Sequence, residues 1–286
     1  MKAALVRART VLITGCSSGI GATTAIHLRD RGWRVAPTAR KPEDLERLRS
    51  DGFDPISLDV QSPEAVERAI ETATRMFPEG IGALVNNAGF GQPGAIEDIT
   101  RDELRRQFEV NVIGVHDLTR HLLPAMIGQG YGRIVNIGSI LGLYALPFIG
   151  AYSASKFALE ALTDALRAEM SGTGLGVSLI GPGPIRSSFR DNAASLTDGS
   201  VAGRVSRFDA LYERGTRTVK EGKAYSRGTL APLAVAKKIE HALTSRRPRG
   251  RYSVTTQALI CEQALRVMPR SVMQAILAYK AQREAG

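Results

Sequence analysis

A tyrosine and a lysine four residues apart, Tyr152 and Lys156, form the pair whose types and spacing best suit acid–base chemistry. At this spacing on a helix, the two side chains share one face. An ammonium favours the ionised phenol, so we expect Lys156 to lower the pKa of Tyr152 and make it a general acid or base. Such pairs also arise by chance on helix surfaces. Ser139 favours a functional role, because it follows a predicted strand at the sheet edge where ligands bind.

A glycine-rich segment, TGCSSGIG, spans residues 14–21 between the first predicted strand and a helix. Its glycines, Gly15, Gly19 and Gly21, allow a tight turn and a close approach to a pyrophosphate. The N-terminus of the following helix offers free N–H groups to that anion. The spacing G-x-x-x-G-x-G differs from the commoner G-x-G-x-x-G, and a plain strand-to-helix turn is the alternative. The position in the first β-α-β unit favours dinucleotide binding.

The end of the second predicted strand indicates which dinucleotide is preferred. Chains that bind NAD carry an acid about 20 residues beyond the loop, where it holds the ribose hydroxyls. Residues 38–41 contain no acid, whereas Arg40 and Lys41 can pair with a 2′-phosphate. The sequence therefore predicts NADP(H) in preference to NAD(H).

Alternating strand and helix patterns predict the elements that position these residues. The predicted strands lie at 10–14, 33–38, 56–60, 81–87, 132–138, 176–182 and 251–255, and the predicted helices at 19–31, 41–50, 62–77, 101–126, 152–171, 231–244 and 259–283. This order implies right-handed β-α-β units. We therefore expect an α/β fold, a Rossmann-type doubly wound parallel sheet of about seven strands.

No linker interrupts the alternation, which predicts a single dinucleotide-binding catalytic domain at 8–258 and a helical C-terminal extension at 259–286. Residues 187–230 are polar and irregular in pattern, and we expect them to form a variable lid over the substrate. Within 270–281, apolar residues recur at helical spacing. Such a helix can cover the cleft, pack at a subunit interface or rest on a membrane surface.

The formal charge of +10 is unevenly distributed along the 286 residues. Residues 1–185 carry 19 basic and 20 acidic side chains, whereas residues 186–286 carry 19 basic and 8 acidic ones. A basic third of a chain can face nucleic acid, an anionic membrane or an anionic ligand. Because no nucleic-acid-binding motif accompanies the charge, we favour a solvated surface.

Two cysteines, Cys16 and Cys261, cannot build a disulfide scaffold, and no Cys/His cluster offers a metal site. We therefore expect a cytoplasmic protein in a reducing compartment, with no bound metal.

The uncharged stretch 134–155 is long enough to cross a bilayer. Its polar residues and glycines instead predict a strand, a loop and the start of a helix.

Together the motifs resemble those of the short-chain dehydrogenase/reductase family, in the order and spacing that the family uses. The matching residues are TGCSSGIG at 14–21, Asp59, NNAG at 86–89, Asn111, Ser139, YSASK at 152–156 and PGPIRS at 182–187. Within the family, the sequence is similar to the branch of 17β-hydroxysteroid and retinol dehydrogenases. The resemblance implies an enzyme that moves hydride between a nicotinamide cofactor and a CH–OH or C=O group.

The resemblance also implies roles for individual residues. Tyr152 is the acid/base, Lys156 lowers its pKa and bonds the nicotinamide ribose, and Ser139 hydrogen-bonds the substrate oxygen. Asn111 is expected to hold a water in a proton relay, with local bonding to its own helix as the alternative. Ser187 stands where the family usually has threonine. The implied cofactor-binding residues are Gly15, Ser17, Ser18, Gly19, Ile20, Gly21, Arg40, Asp59, Val60, Asn87, Ala88, Gly89, Tyr152, Lys156, Pro182, Gly183, Ile185 and Ser187.

An apolar wall is expected beside the reacting oxygen, formed in part by Phe90, Leu141, Leu143, Leu146, Phe148 and Ile149. Such a wall suits a small apolar ketone, aldehyde or alcohol. The predicted function is therefore that of an NADP(H)-dependent oxidoreductase. A non-catalytic NADP-binding regulatory or interaction protein and a nucleic-acid-binding protein are the alternatives. The family commonly self-associates, so we expect a homo-oligomer without a nucleic-acid partner, and the basic tail leaves peripheral membrane contact open.

Overall fold

Strands and helices alternate along the chain as predicted. The computed structural model describes residues 3–200, 206–221, 228–269, 271–272 and 275–276. The strands are β1 (Thr10–Ile13), β2 (Arg34–Ala39), β3 (Ile56–Ser57), β4 (Ala83–Asn86), β5 (Gly132–Ile137), β6 (Leu175–Gly181) and β7 (Arg251–Ser253). The α-helices are α1 (Gly19–Arg29), α2 (Pro42–Ser50), α3 (Pro63–Met76), α4 (Arg101–Phe108), α5 (Gly114–Gln129), α6 (Gly150–Glu169), α7 (Phe189–Ser200), α8 (Asp209–Lys220), α9 (Leu233–Thr244) and α10 (Thr256–Val267).

Within the described residues, seven strands form one sheet in the order β3-β2-β1-β4-β5-β6-β7. Every neighbouring pair is parallel, so all the carboxyl ends lie at one edge. The chain winds outward in one direction from β1 to β3 and in the other from β4 to β7, which leaves a crevice between β1 and β4. The predicted α/β Rossmann-type fold is confirmed.

Two apolar clusters fill the two faces of the sheet. Side chains alternate along β1, so Val11 and Ile13 join the cluster under α1, α2 and α9, while Leu12 joins the cluster under α3 and α5. All three are fully buried. A sheet covered on both faces explains why β1 and β4 are continuous apolar runs in the sequence.

The predicted helix at 101–126 is divided into α4, a π-helical turn at Glu109–Ile113, and α5. Periodicity over 26 residues does not reveal the wider turn, because a π turn adds a single residue to an otherwise regular helix. The fully buried Asn111 lies in this turn. The π turn therefore marks a place where a polar side chain enters the interior.

The irregular sequence pattern of 187–230 did not predict the two helices, α7 and α8, that the described part of the segment contains, and its role as a substrate lid stays a prediction. Tertiary contacts hold the start of α8 in place. The Tyr212 hydroxyl donates to Asp98 Oδ2 at 2.5 Å, and Arg207 makes two bonds of 2.7 and 2.8 Å to the Glu97 carboxylate. The sequence pattern is weak here because these partners lie more than 100 residues away along the chain.

The uncharged stretch 134–155 consists of β5, a 3₁₀ turn at Ile140–Gly142 and the start of α6, as expected. No helix in the described ranges is both long enough and apolar enough to span a bilayer. Most of the helix predicted at 270–281 lies outside the described residues. The division into a domain at 8–258 and an extension at 259–286 stays a prediction.

A buried amide network joins the sheet to two helices. Asn86 Nδ2 donates to Asn136 Oδ1 at 2.8 Å and to Thr119 Oγ1 on α5 at 3.0 Å, and Asn136 Nδ2 donates to Thr163 Oγ1 on α6 at 2.9 Å. All four side chains are buried. The network therefore fixes α5 and α6 against the centre of the sheet.

We expect Asn136→Ala to lower the free energy of unfolding by about 1–3 kcal/mol, because buried polar groups lose their partners. Urea unfolding measures the change. Thr72→Ala is the matched control, since Thr72 bonds only within its own helix on an exposed face and should change stability by no more than about 0.5 kcal/mol. Equal effects of the two substitutions would contradict a stabilising role for the network.

Candidate active site

The glycine loop connects β1 to α1 in a conformation that its glycines require. Gly15 has a φ of +70°, and a Cβ there would lie 2.8 Å from Ala88 Cα. A Cβ on Gly21 would overlap the Gly15 carbonyl oxygen. Ser18 precedes α1, yet its side chain does not cap that helix. The first N–H groups of α1 are therefore available to an anion approaching the loop.

Thr14 and Asn87 tie this loop to the end of β4. Thr14 Oγ1 accepts bonds of 2.9 Å from the N–H groups of Asn87 and Ala88. Asn87 Nδ2 donates in turn to the carbonyls of Thr14 and Gly15, each at 2.9 Å. The sequence analysis missed Thr14, although a threonine directly before the first glycine of the loop was a signal.

Charged groups lie on the β2 side of the loop. Arg40 Nη1 is 3.8 Å from Asp59 Oδ2, and the Arg40 side chain is 61% exposed, so it can reach a ligand phosphate. Arg47 of α2, which the sequence analysis also missed, donates to the Ser17 carbonyl. Val60 lies against Gly114 at the start of α5, where a Cβ would overlap the Val60 carbonyl.

The segment after β6 closes the site from the opposite side. Ile140 N–H donates to the Pro182 carbonyl at 2.8 Å, and Ile185 pairs with Leu230. Gly183 packs on Thr255, and Ser187 Cβ lies 3.1 Å from the position of a Cβ on Gly19. Ser18 and Ser188 share a hydrogen bond of 2.6 Å. This segment therefore contacts both the glycine loop and the turn that carries Ser139.

The loops together form a cradle that fits a nicotinamide dinucleotide. The cradle combines a glycine backbone without room for side chains, uncapped helix N–H groups and exposed arginines beside the end of β2. Ile20 and Gly89 complete the predicted set: Ile20 packs on the core beneath the loop, and a Cβ on Gly89 would lie 3.0 Å from Asn111 Oδ1.

Ser139 and Tyr152 meet at the carboxyl end of β5. Ser139 Oγ accepts the Leu141 N–H at 3.0 Å, which orients the hydroxyl, and both side chains are at most 8% exposed. Burial raises the pKa of Tyr152 to about 12, while its hydrogen bond to Ser139 lowers the pKa to a smaller extent. The phenol is therefore protonated at neutral pH.

Lys156 is buried one helical turn beyond Tyr152. Its Nζ donates to the Ile137 carbonyl at 2.7 Å and lies 5.8 Å from the centroid of the Tyr152 ring. Burial lowers the pKa of Lys156 to about 8, and the charge of Glu160 opposes that shift. The expectation that Lys156 brings the Tyr152 pKa towards neutrality is wrong for this structure, because desolvation of the phenol outweighs the attraction of an ammonium engaged elsewhere.

Asn111 holds the loop that follows β4. Its Oδ1 accepts the Phe90 N–H at 3.1 Å, and its Nδ2 donates to the Phe90 carbonyl at 2.9 Å and to Ser155 Oγ at 3.1 Å. The alternative of local bonding within its own helix is therefore wrong. A Cβ on Gly89 would touch Asn111 Oδ1 and lie 3.8 Å from Lys156 Nζ, so these two polar groups approach the same point.

Aromatic side chains border Tyr152 and the segment that precedes α6. The Phe189 ring lies 5.3 Å from the Tyr152 ring, and a Cβ on Gly91 would contact both rings. Phe148, whose φ is +62°, packs edge-on against Phe208 at 5.1 Å. The sequence analysis missed Phe189 because only the folded chain brings α7 over α6. The apolar residues that it predicted as a wall, Phe90, Leu141, Leu143, Leu146, Phe148 and Ile149, are all half-buried.

Cys16 lies inside the glycine loop with its thiol fully buried. The thiol points inward to the Ile13 carbonyl at 3.4 Å, and burial raises its pKa to about 12. An unreactive thiol of this kind is a packing residue.

Comparison with known proteins places this geometry in a family. The family model described as short chain dehydrogenase matches residues 9–197. The chain is similar to the uncharacterized oxidoreductase YbbO of Escherichia coli, with 41% identity over 94% of each chain. It is also similar to human retinol dehydrogenase 5, with 35% identity over 94% of this chain and 87% of that protein.

Solved structures agree with the sequence comparison. A short chain dehydrogenase from Burkholderia cenocepacia, solved with NADP, matches 96% of this chain and 98% of its own at a TM-score of 0.74 and 25% identity. A short chain dehydrogenase/reductase from Burkholderia phymatum, solved with NAD, matches 94% of this chain and 96% of its own at a TM-score of 0.76 and 26% identity. The chain therefore belongs to the short-chain dehydrogenase family, whose members are oxidoreductases that use a nicotinamide dinucleotide.

Proposed function

We propose that the chain is an NADP(H)-dependent oxidoreductase that interconverts an apolar ketone or aldehyde and the corresponding alcohol. The observation that carries the proposal is the buried group of Ser139, Tyr152 and Lys156, held beside a glycine loop at one edge of the sheet. When bound, the nicotinamide supplies the hydride for reduction or accepts it for oxidation.

In reduction, Tyr152 Oη donates its proton to the carbonyl oxygen as the carbonyl carbon gains hydride. A pKa of about 12 keeps the phenol in its donor form at neutral pH. The Ser139 hydroxyl, oriented by the Leu141 N–H, hydrogen-bonds the same oxygen and stabilises the charge that develops there. In oxidation, Tyr152 must first lose its proton before its oxygen can accept the proton of the alcohol.

Lys156 and Asn111 serve the proton-transfer site. The Lys156 ammonium bonds the nicotinamide ribose, and from 5.8 Å it partly offsets the charge that forms on Tyr152 after proton transfer, without bringing the resting pKa of Tyr152 to neutrality. Asn111 fixes the Phe90 backbone beside Gly89 and holds a water of the proton relay. Both side chains are at most 5% exposed, so bulk water does not reach them freely.

The preference for NADP(H) rests on Arg40. No acid stands at the end of β2, and the exposed guanidinium of Arg40 can pair with a 2′-phosphate. Arg47, which contacts the Ser17 carbonyl, adds positive charge on the same side of the loop.

An apolar substrate is supported by the aromatic border of the site. Phe189 lies on Tyr152, and Phe148 packs against Phe208 beside the loop that precedes α6. The name of the relative retinol dehydrogenase 5 also denotes an apolar alcohol.

Assembly and location complete the proposal. Exposed apolar side chains on neighbouring helical segments, Leu104, Ile113 and Leu162, support a homo-oligomer. The free thiols of Cys16 and Cys261 support a reducing, cytoplasmic environment.

We expect Tyr152→Phe to reduce turnover on the order of 10² to 10⁴-fold, because it removes the proton donor and keeps the ring. NADPH consumption with a panel of apolar aldehydes and ketones measures the change. Tyr131→Phe, directly before β5, where the hydroxyl donates to the Glu79 carbonyl at 3.4 Å, is the control and should retain turnover. A Tyr152→Phe variant with near wild-type turnover would refute the mechanism.

We expect Arg40→Asp to weaken NADPH binding by about tenfold or more, since it replaces a charge-assisted bond with repulsion. It should improve NADH binding relative to NADPH, because the new carboxylate can accept the ribose hydroxyls. Fluorescence titration gives both dissociation constants. Arg49→Asp changes an exposed arginine on α2 and serves as the control. An unchanged ratio of the two constants would make Arg40 a simple surface charge.

The pKa of Lys156 predicts how catalysis depends on pH. As the pH rises through about 8, Lys156 loses its proton and with it the positive charge that the proposed mechanism requires. The value of kcat/KM should therefore fall. Lys156→Arg keeps the positive charge, and any activity that it retains should lack this decline. A wild-type kcat/KM that stays constant between about pH 7 and 9 would contradict the role of the ammonium.

A further inference from the structure

A second charged group lies behind Ser139, and none of its members donates or accepts a proton in the proposed chemistry. Arg251 begins β7, Glu160 belongs to α6 and Glu262 belongs to α10. Their side chains are only 15–16% exposed. Three charges at this depth must satisfy one another, because unpaired charges are costly to bury.

The Arg251 guanidinium lies at the centre of the group. Its Nη1 donates to Glu160 Oε1, and its Nε lies 3.8 Å from Glu262 Oε2. Its Nη2 reaches the Ser139 carbonyl oxygen at 3.4 Å. Gly181 leaves room for the guanidinium, since a Cβ there would overlap Nη2. One planar side chain thus connects α6, α10 and the turn that carries Ser139.

Glu160 links this group to the reacting side chains. It lies on α6 four residues beyond Lys156 and eight beyond Tyr152, so the three share one face of the helix. Its stem also packs beneath the 3₁₀ turn after Ser139, where a Cβ on Gly142 would lie 2.9 Å from Glu160 Cγ. The carboxylate is therefore held between the helix of Tyr152 and the turn of Ser139.

We propose that Arg251 and Glu160 are positioning residues that set the Ser139 hydroxyl against the Tyr152 phenol. The inference rests on the proposed function and deepens it. Hydrogen bonds from a planar guanidinium fix the direction as well as the distance of its contacts, whereas an apolar contact does not fix the direction. Buried ion pairs often add little net stability compared with well-packed apolar residues. Loss of this pair should therefore affect the alignment of Ser139 with Tyr152 more than it affects the free energy of unfolding.

The expected effect on turnover follows from this alignment. A displacement of about 1 Å between reacting groups can cost up to about 100-fold in rate. The glycine loop follows β1 and Arg40 follows β2, four and five strands away from β7 in the sheet order, so this part of the NADPH site should keep its geometry. Loss of Arg251 should thus lower kcat by a larger factor than it changes the dissociation constant of NADPH.

The experiment compares Arg251→Met, Arg251→Lys and Glu160→Gln with a matched control, Arg167→Met. Arg167 also connects α6 to the sheet, through bonds to the Val177 and Gly250 carbonyls at 3.0 and 2.8 Å, but it does not contact Ser139. The assay uses NADPH and one carbonyl compound. This compound is the member of the aldehyde and ketone panel that the wild-type chain reduces fastest. Thermal unfolding and NADPH titration accompany every kinetic measurement.

We expect kcat to fall by about 10- to 100-fold in Arg251→Met, with partial recovery in Arg251→Lys and a smaller loss in Glu160→Gln. Arg167→Met should lose stability and retain kcat. If Arg251→Met does not fold, Arg251→Lys provides the comparison, because Glu160→Gln also removes a charge that raises the pKa of Lys156.

The two proposals fail in different ways. A wild-type chain that reduces no carbonyl of the panel would refute the proposed function, and the positioning role with it. An active wild type, with Arg251 and Glu160 variants that lose stability but keep kcat as Arg167→Met does, would overturn the positioning role alone.

Discussion

The reversal of strand order between β1 and β4 is the constraint on which the rest of the structure depends. Because the strands are parallel and wind outward from this point, the loops after β1, β4, β5 and β6 emerge at one edge. Both faces of the sheet are covered by apolar contacts with helices, so these strand ends are held firmly. The glycine loop, Asn87, Ser139 and the segment after Pro182 meet there as a consequence of topology.

Burial at this edge shifts the pKa values of Tyr152 and Lys156 in opposite directions. The pKa of the Tyr152 phenol is raised to about 12 and the pKa of the Lys156 ammonium is lowered to about 8, since desolvation disfavours the charged form of each. The Tyr152 phenol therefore keeps its proton at neutral pH. The same burial requires polar partners, which Ser139 and the Ile137 carbonyl provide.

Hydrogen bonds between segments that are distant in sequence hold the loops in fixed positions relative to one another. Thr14 with Asn87 joins the glycine loop to β4, and Asn111 secures the Phe90 backbone from the π turn. Arg251 reaches the Ser139 carbonyl from β7. In each case a side chain forms a hydrogen bond with the backbone of another segment. Loops that pack few apolar atoms are fixed in this way without a larger core.

The sequence by itself determined the seven strands, most of the helices, the glycine loop and the pairing of Tyr152 with Lys156, because these follow from local periodicity or from residue types at set spacings. Most of the candidate cofactor-binding residues, by contrast, were implied by the resemblance to a family. Only the tertiary structure decided the pKa shift of Tyr152, the partners of Asn111 and the places of Phe189 and Arg251. Desolvation and long-range hydrogen bonds depend on neighbours up to 112 residues away, as for Arg251 and Ser139, and such neighbours leave no periodic trace in the chain.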